Sequence, residues 1–258
     1  MKTNHSEQIA PISKAYCHEL KKLHQKKFRR LENKTLVEGL NLIEQLHSNG
    51  VFPIEIVCKG TEALPKFVNE ADTMIWTAKE PEYQYLSDTD NPQPIMAVFN
   101  IPLFEIKTYR AILFLDGIQD PGNLGTIFRI AAAFNFDGIV LSSGCCEVFS
   151  PKVIRASLGS VFWVPSIVVD ESWLAKQKAI KIGMDSHSKS SIEDINLKQN
   201  EPIILVIGSE SSGIAESLKP ELTHTVSITI SNKMESINAA VATGIAAYIV
   251  SKQLFLLT

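Results

Sequence analysis

The stretch LDGIQDPGNLGTIFRIAAAF, residues 115–134, joins a continuous apolar run to a helix-patterned segment through a turn. Asp120-Pro121-Gly122 is strong turn chemistry, and Asn123 is placed to cap the helix by accepting backbone N–H groups. Beyond it Leu124, Ile127, Phe128 and Ala131 repeat at three and four, the spacing of one buried stripe. Gly125 and Arg129, four apart, share another flank near the first turns, which sets a guanidinium one turn above a point of close approach.

Outward from this junction, apolar runs keep alternating with helical patterns. AILFLDG (111–117), GIVLSS (138–143), VPSIVV (164–169), PIILVIG (202–208) and VSITI (226–230) read as strands. Helices are expected near 123–135, from 151 to about 162, near 173–180, and from Ser236 onward. Unbroken apolar strands interleaved with helices predict an α/β fold, a mainly parallel sheet covered on both faces. Ligands in such sheets bind at loops leaving the carboxyl ends of strands.

Two more of these loops carry chemistry. In LVIGSESSGIAESL (205–218) an apolar strand runs into Gly208, then Glu210, then Gly213, read as opening a helix. No Lys-Ser/Thr follows the second glycine, so a triphosphate loop is excluded, and a carboxylate there suits a cationic or hydroxyl-bearing ligand. In VSITISNKMESINAAVATGIAAYIV (226–250) a polar loop precedes a helix on which Ile237, Ala240, Val241, Gly244, Ile245 and Tyr248 share one face. Ser236 and Asn238 sit at its start, where Ser236 could serve as the cap, and the alanines let another helix come close.

Before residue 108 the pattern changes. Lys14 to Arg30 looks helical, Leu36 to His47 has apolar residues at helical spacing, and IEIVC (54–58) reads as a strand. SDTDNPQP (87–94) reads as a loop near a domain junction. The expectation is two domains, 1–107 and 108–258, in keeping with a chain of 258 residues.

Composition narrows the function classes. With 45% hydrophobic and 21% charged residues the chain is of the ordinary globular kind. The net charge of -3 argues against a general polyanion binder, yet residues 1–34 hold nine Lys/Arg against three Asp/Glu, leaving 16 basic and 25 acidic residues for the remainder. A basic head that includes Lys21, Lys22, Lys26, Lys27, Arg29, Arg30 and Lys34 on an acidic body suits one end meeting phosphates. A solvated helix face is the competing reading. Cys17, Cys58, Cys145 and Cys146 lack metal-ligand spacing and read as free thiols. No metal and no membrane contact is expected. The N-terminus lacks an apolar signal core, so a cytoplasmic location is the expectation.

Three ordered motifs, Asn123-x-Gly125-x-x-x-Arg129, Gly208-x-Glu210-x-x-Gly213 and Ser236-Ile237-Asn238 before an alanine-rich helix, resemble those of the SpoU (TrmH-like) RNA ribose 2′-O-methyltransferases of the SPOUT superfamily. Val37-Glu38-Gly39 resembles part of that family's small substrate-binding domain. Thr229 and Asn232 stand where proline and glycine are common. The resemblance implies a C-terminal catalytic domain closed by a deep trefoil knot. It also implies S-adenosyl-L-methionine held by backbone groups near Gly208, Gly213, Ile228 and Ile237, and a homodimer joined through the last helix, Ser236 to Leu257. Arg129 would act at the ribose hydroxyl, as general base or as clamp on phosphate and alkoxide, and Asn123, Glu210, Ser236 and Asn238 would complete the site. The substrate implied is structured RNA, ribosomal RNA favoured over tRNA by the separate N-terminal domain. A non-catalytic RNA-binding protein that keeps the fold is the alternative from another class. A dinucleotide-binding dehydrogenase is disfavoured, since no G-x-G-x-x-G follows an early strand.

Overall fold

In the computed structural model, residues 9–60, 64–65, 67–68, 73–197 and 201–254 are described. The chain divides into two units, residues 1–102 with 149–163, and residues 103–148 with 164–258.

The first unit is built on a five-stranded mixed sheet. Its elements are β1 (Ile9–Pro11), α1 (Lys14–Lys22), α2 (Lys26–Glu32), β2 (Lys34–Glu38), α3 (Leu40–Ser48), β3 (Glu55–Cys58), β4 (Met74–Thr77), α4 (Glu80–Leu86) and β5 (Ile95–Asn100). The strand order is β1-β4-β3-β5-β2; β5 runs antiparallel to both neighbours, and the other pairs are parallel. The core gathers Leu20, Leu23, Leu36, Val57, Tyr83, Leu86, Met96 and Val98.

Three sequence expectations are corrected here. The Lys14–Arg30 helix is two helices, because residues 23–25 turn and Gln25 adopts an extended backbone before α2. Leu36 belongs to a strand that ends at Glu38, and α3 begins only after Gly39 turns the chain at φ +110°, a conformation L side chains rarely adopt. The 87–94 loop connects α4 to β5 inside this unit and is not a junction. Glu38 organises it, accepting from Ser87 Oγ (2.8 Å), Thr89 Oγ1 (3.0 Å) and the Gln93 amide (2.8 Å).

The segment 149–163 completes this unit. It contains α6 (Pro151–Ala156), capped by Ser150, and a 3-10 turn at Ser160–Phe162. Phe162 packs on Phe99 and Phe149 at ring distances of 5.5 and 5.4 Å. A Cβ on Gly159 would lie 2.7 Å from Leu46 Cδ2, so the turn presses directly on α3.

The second unit is the expected doubly covered α/β sheet. Six strands, all parallel, lie in the order β11-β9-β10-β6-β7-β8: β6 (Ala111–Leu115), β7 (Gly138–Ser142), β8 (Ser166–Val169), β9 (Ile180–Met184), β10 (Ile203–Ile207) and β11 (His224–Val226). Every residue of β6, β7 and β10 is buried, as strands covered on both faces must be. The helices are α5 (Pro121–Ala133), the short α7 (Ser172–Ala175) and α8 (Ala239–Gln253). The expected helix near 173–180 stops after one turn, and β9, not anticipated, takes its place in the sheet beside β10. The strand expected at 226–230 is displaced: β11 is His224–Val226, so only Val226 of that span is in a strand and 227–230 run on as loop. Phe255 to Leu257, the expected end of the last helix, lie outside the described residues.

Candidate functional site

The carboxyl ends of β6 and β10 and the start of α8 bring three polar side chains into one cluster. Asn123 Nδ2 donates to Glu210 Oε1 at 2.7 Å, and Asn238 Nδ2 donates to the same oxygen at 2.8 Å and to Asn123 Oδ1 at 2.8 Å. The Ala239 amide also reaches Glu210 Oε1, at 3.4 Å. One carboxylate oxygen thus ties together loops far apart in sequence.

Each member is held by local structure. Asp120, not Asn123, caps α5, accepting from the Asn123 amide at 2.8 Å with Pro121 in the first turn. This corrects the capping role read from the sequence and frees the Asn123 side chain to reach Glu210. Likewise Asn238, not Ser236, caps α8, its Oδ1 accepting from the Ala240 and Val241 amides. The helix begins at Ala239: residues 236–238 have no regular structure, and Asn238 takes φ −50° and ψ 138°, outside the helical region.

Glu210 is carried on a tight turn. Ser209 and Gly213 exchange backbone hydrogen bonds of 3.1 and 2.9 Å, and Gly213 takes φ +66°. No α-helix follows Gly213, contrary to expectation; the chain continues through turns to a 3-10 turn at Lys219–Glu221. The turn folds back so closely that a Cβ on Gly208 would lie 2.1 Å from Gly213 C and 2.3 Å from the Ile214 amide nitrogen. Gly208 is required by that approach, whereas Gly213 is required by its left-handed backbone.

α5 and α8 lie side by side and parallel. Asn123 meets Asn238 at their starts, while at their ends Ser251 Oγ donates to Phe134 O (2.8 Å) and the Phe134 and Tyr248 rings are 5.9 Å apart. Small residues on α8 admit α5: a Cβ on Gly244 would lie 3.5 Å from Ile130 Cδ1, and Ala239, Ala240, Ala246 and Ala247 are buried. Two helix N-termini therefore converge on the Glu210 carboxylate, the end of each dipole that favours negative charge.

The other expected site residues are placed but not bonded into this cluster. Arg129, one and a half turns along α5 from Asn123, is exposed. Ser236 is exposed, and Ile228 and Ile237 are half-buried on the segment between β11 and α8. Gly117, after β6, also adopts a positive φ of 68°, and its amide donates to Ser142 Oγ at 3.0 Å.

Sequence reading missed Asp116. Its Oδ2 accepts from the Ala215 amide at 2.8 Å and its own amide donates to Ile207 O, so it pins the far side of the Glu210 turn to β6 and β10. The signal available was a lone carboxylate closing the apolar run AILFL. Among the described residues no group of His, Cys, Asp and Glu could hold a metal ion. All four cysteines are thiols, and burial pushes Cys146 up to about 11 and Cys145 also upward.

This fold, with an amide–carboxylate–amide cluster at the strand ends, defines a class. Residues 110–248 match the model of the SpoU rRNA methylase family, and the chain belongs to that family. Residues 14–97 match the MRM3-like substrate binding domain. A 23S rRNA (guanosine(2553)-2'-O)-methyltransferase of Bacillus subtilis is 33% identical over 236 residues, spanning 88% of this chain and 92% of that protein. A TrmH-family structure from Porphyromonas gingivalis superposes with a TM-score of 0.82 at 30% identity, covering 93% of this chain and 98% of that one. An AdoMet-bound rRNA methyltransferase from Sinorhizobium meliloti shares the fold with a TM-score of 0.83 at 24% identity, covering 97% of this chain and all of that one.

Proposed function

We propose that this protein transfers a methyl group from S-adenosyl-L-methionine to a ribose 2′-oxygen of 23S-type ribosomal RNA. The observation that carries the reading is the Asn123–Glu210–Asn238 cluster, which joins residues from all three family motifs through hydrogen bonds of 2.7–2.8 Å. The name of the Bacillus relative, matched along nearly its whole length, supplies the substrate.

The residues present fit the donor. Gly208 and Gly213 offer backbone groups on a turn with open space beside Gly213, where a Cβ would meet nothing within 4 Å, and Ile228 and Ile237 offer backbone groups and half-buried apolar side chains on the segment before α8. Backbone donors and acceptors in an otherwise apolar slot can read an adenine edge. When bound, the donor supplies an electrophilic methyl on a sulfonium, a cation with which the Glu210 carboxylate is compatible.

Transfer forms a carbon–oxygen bond to the ribose, breaks a carbon–sulfur bond and releases the hydroxyl proton. The chain has to hold that hydroxyl in line, near about 3 Å, and bear the charge that develops on it. Arg129 is the residue for this. Guanidinium groups hold their proton in proteins, so its exposed position favours the clamp on phosphate and alkoxide over the role of base. Asn123, Glu210 and Asn238 lock the three loops against each other, and Ser236 lines the RNA side of the last one.

Three finer features belong to the same reading. The segments after β10 and β11, which both return to Asn123, form the family's trefoil knot. The protein works as a homodimer: Val241, Ile245 and Tyr248 make an apolar strip along α8 that is 54, 38 and 46% exposed in the single chain. We place its work in the cytoplasm as part of this reading.

The test is mapping of ribose methylation on RNA from cells with and without the protein, followed by transfer to unmodified 23S rRNA by the purified enzyme. Loss of one 2′-O-methyl mark in 23S rRNA, restored in vitro, is expected. A mark lost from tRNA instead would reassign the substrate, and no lost mark with no transfer would refute the reading.

A further inference from the structure

The basic head resolves into two kinds of residue. Arg29 is structural: it is 3% exposed and its Nη1 donates to Leu23 O at 2.8 Å. Lys14, Lys26, Lys27 and Arg30 are exposed, and Lys21 and Lys22 are half-buried beside them; α1 and α2 contribute two acids, Glu19, whose carboxylate pairs with Lys22 Nζ at 2.7 Å and would give way there to a phosphate, and Glu32. Lys2 lies outside the described residues.

Aromatic rings are interleaved with these cations, which the sequence did not announce because one ring comes from α4. Tyr85 is 42% exposed, with its hydroxyl 2.8 Å from His18 Nδ1 and the two rings edge to face at 5.1 Å. Lys21 Nζ lies 5.6 Å from the Tyr85 ring centre and donates to Ser87 O at 2.9 Å, which fixes it there. On the neighbouring side Phe28 sits between Lys22 Nζ at 5.7 Å and Lys27 Nζ at 5.8 Å. His18, Lys21 and Lys22 are three and four apart on α1, hence on one face.

Building on the RNA reading above, we infer that the α1–α2–α4 face binds an unpaired stretch of the RNA, with Tyr85 as a stacking platform for one base and Lys21, Lys22 and Lys27 on the adjoining phosphates. The chemistry is that of single-strand recognition, in which flat rings take bases and ammonium groups track the backbone. A tyrosine held at its hydroxyl by His18 is preorganised: the ring is already oriented, so little freedom is lost when a base stacks on it. A duplex would satisfy the lysines but hide its bases from the ring. Choice of target would then be shared between the catalytic loops and a loop or bulge of the RNA read here.

The experiment uses the full-length protein with a fluorescent single-stranded RNA, the same sequence as a duplex, and single-turnover methylation of unmodified 23S rRNA at saturating concentration. Tyr85→Ala should weaken single-strand binding about 5- to 160-fold, the range for loss of one stacked base, and leave duplex binding and the salt slope unchanged. Tyr85→Trp should restore it. Lys22→Gln with Lys27→Gln should weaken both RNAs and flatten the salt dependence. Single-strand affinity unchanged in Tyr85→Ala, or lost equally for the duplex, would overturn the proposal. If that happens while wild-type protein still methylates 23S rRNA, the face alone is misassigned; wild-type protein that neither binds nor methylates RNA would sink both readings.

Discussion

Replacing Gly208 by alanine tests whether the Glu210 turn is a wall of the donor site. The added Cβ would lie 2.1 Å from Gly213 C and 2.3 Å from Gly213 O and Ile214 N, all backbone atoms that no rotamer change can move. Restoring ordinary contact at 3.4 Å requires the turn to retreat by about 1.3 Å. Glu210 would move with it, and contacts of 2.7 and 2.8 Å to Asn123 and Asn238 would stretch past hydrogen-bonding range. Overpacking of this kind costs about 1–3 kcal/mol, which lowers the melting temperature by roughly 2–12 °C in a protein of this size. A displacement of about 1 Å in a positioned group costs about 100-fold in rate. Calorimetric titration of S-adenosyl-L-methionine, single-turnover transfer and thermal unfolding would be measured together. For the unfolding arm alone the comparison is Gly213→Asn: this position has φ +66° and open space, and asparagine tolerates the left-handed region, so less than about 1 kcal/mol of stability should be lost. Gly208→Ala with wild-type donor affinity and transfer would refute the assignment of this turn to the site.

Arg129→Ala should abolish methyl transfer while leaving the fold and donor affinity largely intact; near-normal single-turnover rates would show that the residue is not at the ribose. Asn238→Ala removes the α8 cap and both links to the cluster and should cost about 1–2 kcal/mol in denaturant unfolding, whereas a change within error would mean that water replaces the cap. Donor binding measured calorimetrically should survive a strong chelator, since no metal-binding group exists among the described residues, and loss of binding would count against a metal-free site. His24 is held below its ordinary 6.5, first by burial, with Lys21 and Arg29 adding to the shift; the hydrogen bond its Nε2 donates to Leu86 O, and to a lesser degree Asp88, pull the other way without cancelling it. The unfolded chain therefore binds this proton more readily, so stability should fall as pH drops through 6.5, and His24→Gln should reduce that slope; an unchanged slope would place the linkage elsewhere.

What could be read from the sequence followed from period and continuity. AILFL, GIVLS and IILVI are strands because nothing in them could face water, and α5 is visible in the spacing of Leu124, Ile127, Phe128 and Ala131. The clustered residues Asn123, Glu210 and Asn238 were legible as polar types near strand ends and a helix start; their mutual bonds were not, because they depend on tertiary return of loops separated by 87 and 115 residues. Local rules misassigned both caps. Asn123 and Ser236 each have the chemistry of a cap, but Asp120 and Asn238 lie where the backbone turns into the helix. β9, IKIGM, was missed since its lysine and glycine break the apolar run; Lys181 is nevertheless buried, with Glu221 within 3.8 Å of its ammonium. Leu36 to His47 misled because the strand's apolar residues fall by chance at helical intervals with those of α3.

The excursion of residues 149–163 has a consequence for how this chain can be cut and recombined. The backbone passes between the two units three times, after Pro102, Val148 and Trp163, instead of once. A protease nick between Pro102 and Leu103 would leave residues 1–102 without a covalent link to the rest, held only by their packing on 149–163, which stays on the other fragment. Exchanging the first hundred residues for those of a relative would also leave the foreign sheet dependent on a resident Phe149, Gly159 and Phe162 for part of its core. Inheritance of the first unit is thereby bound to a stretch encoded between the two segments of the second, so the two are expected to change together and to resist shuffling as independent modules.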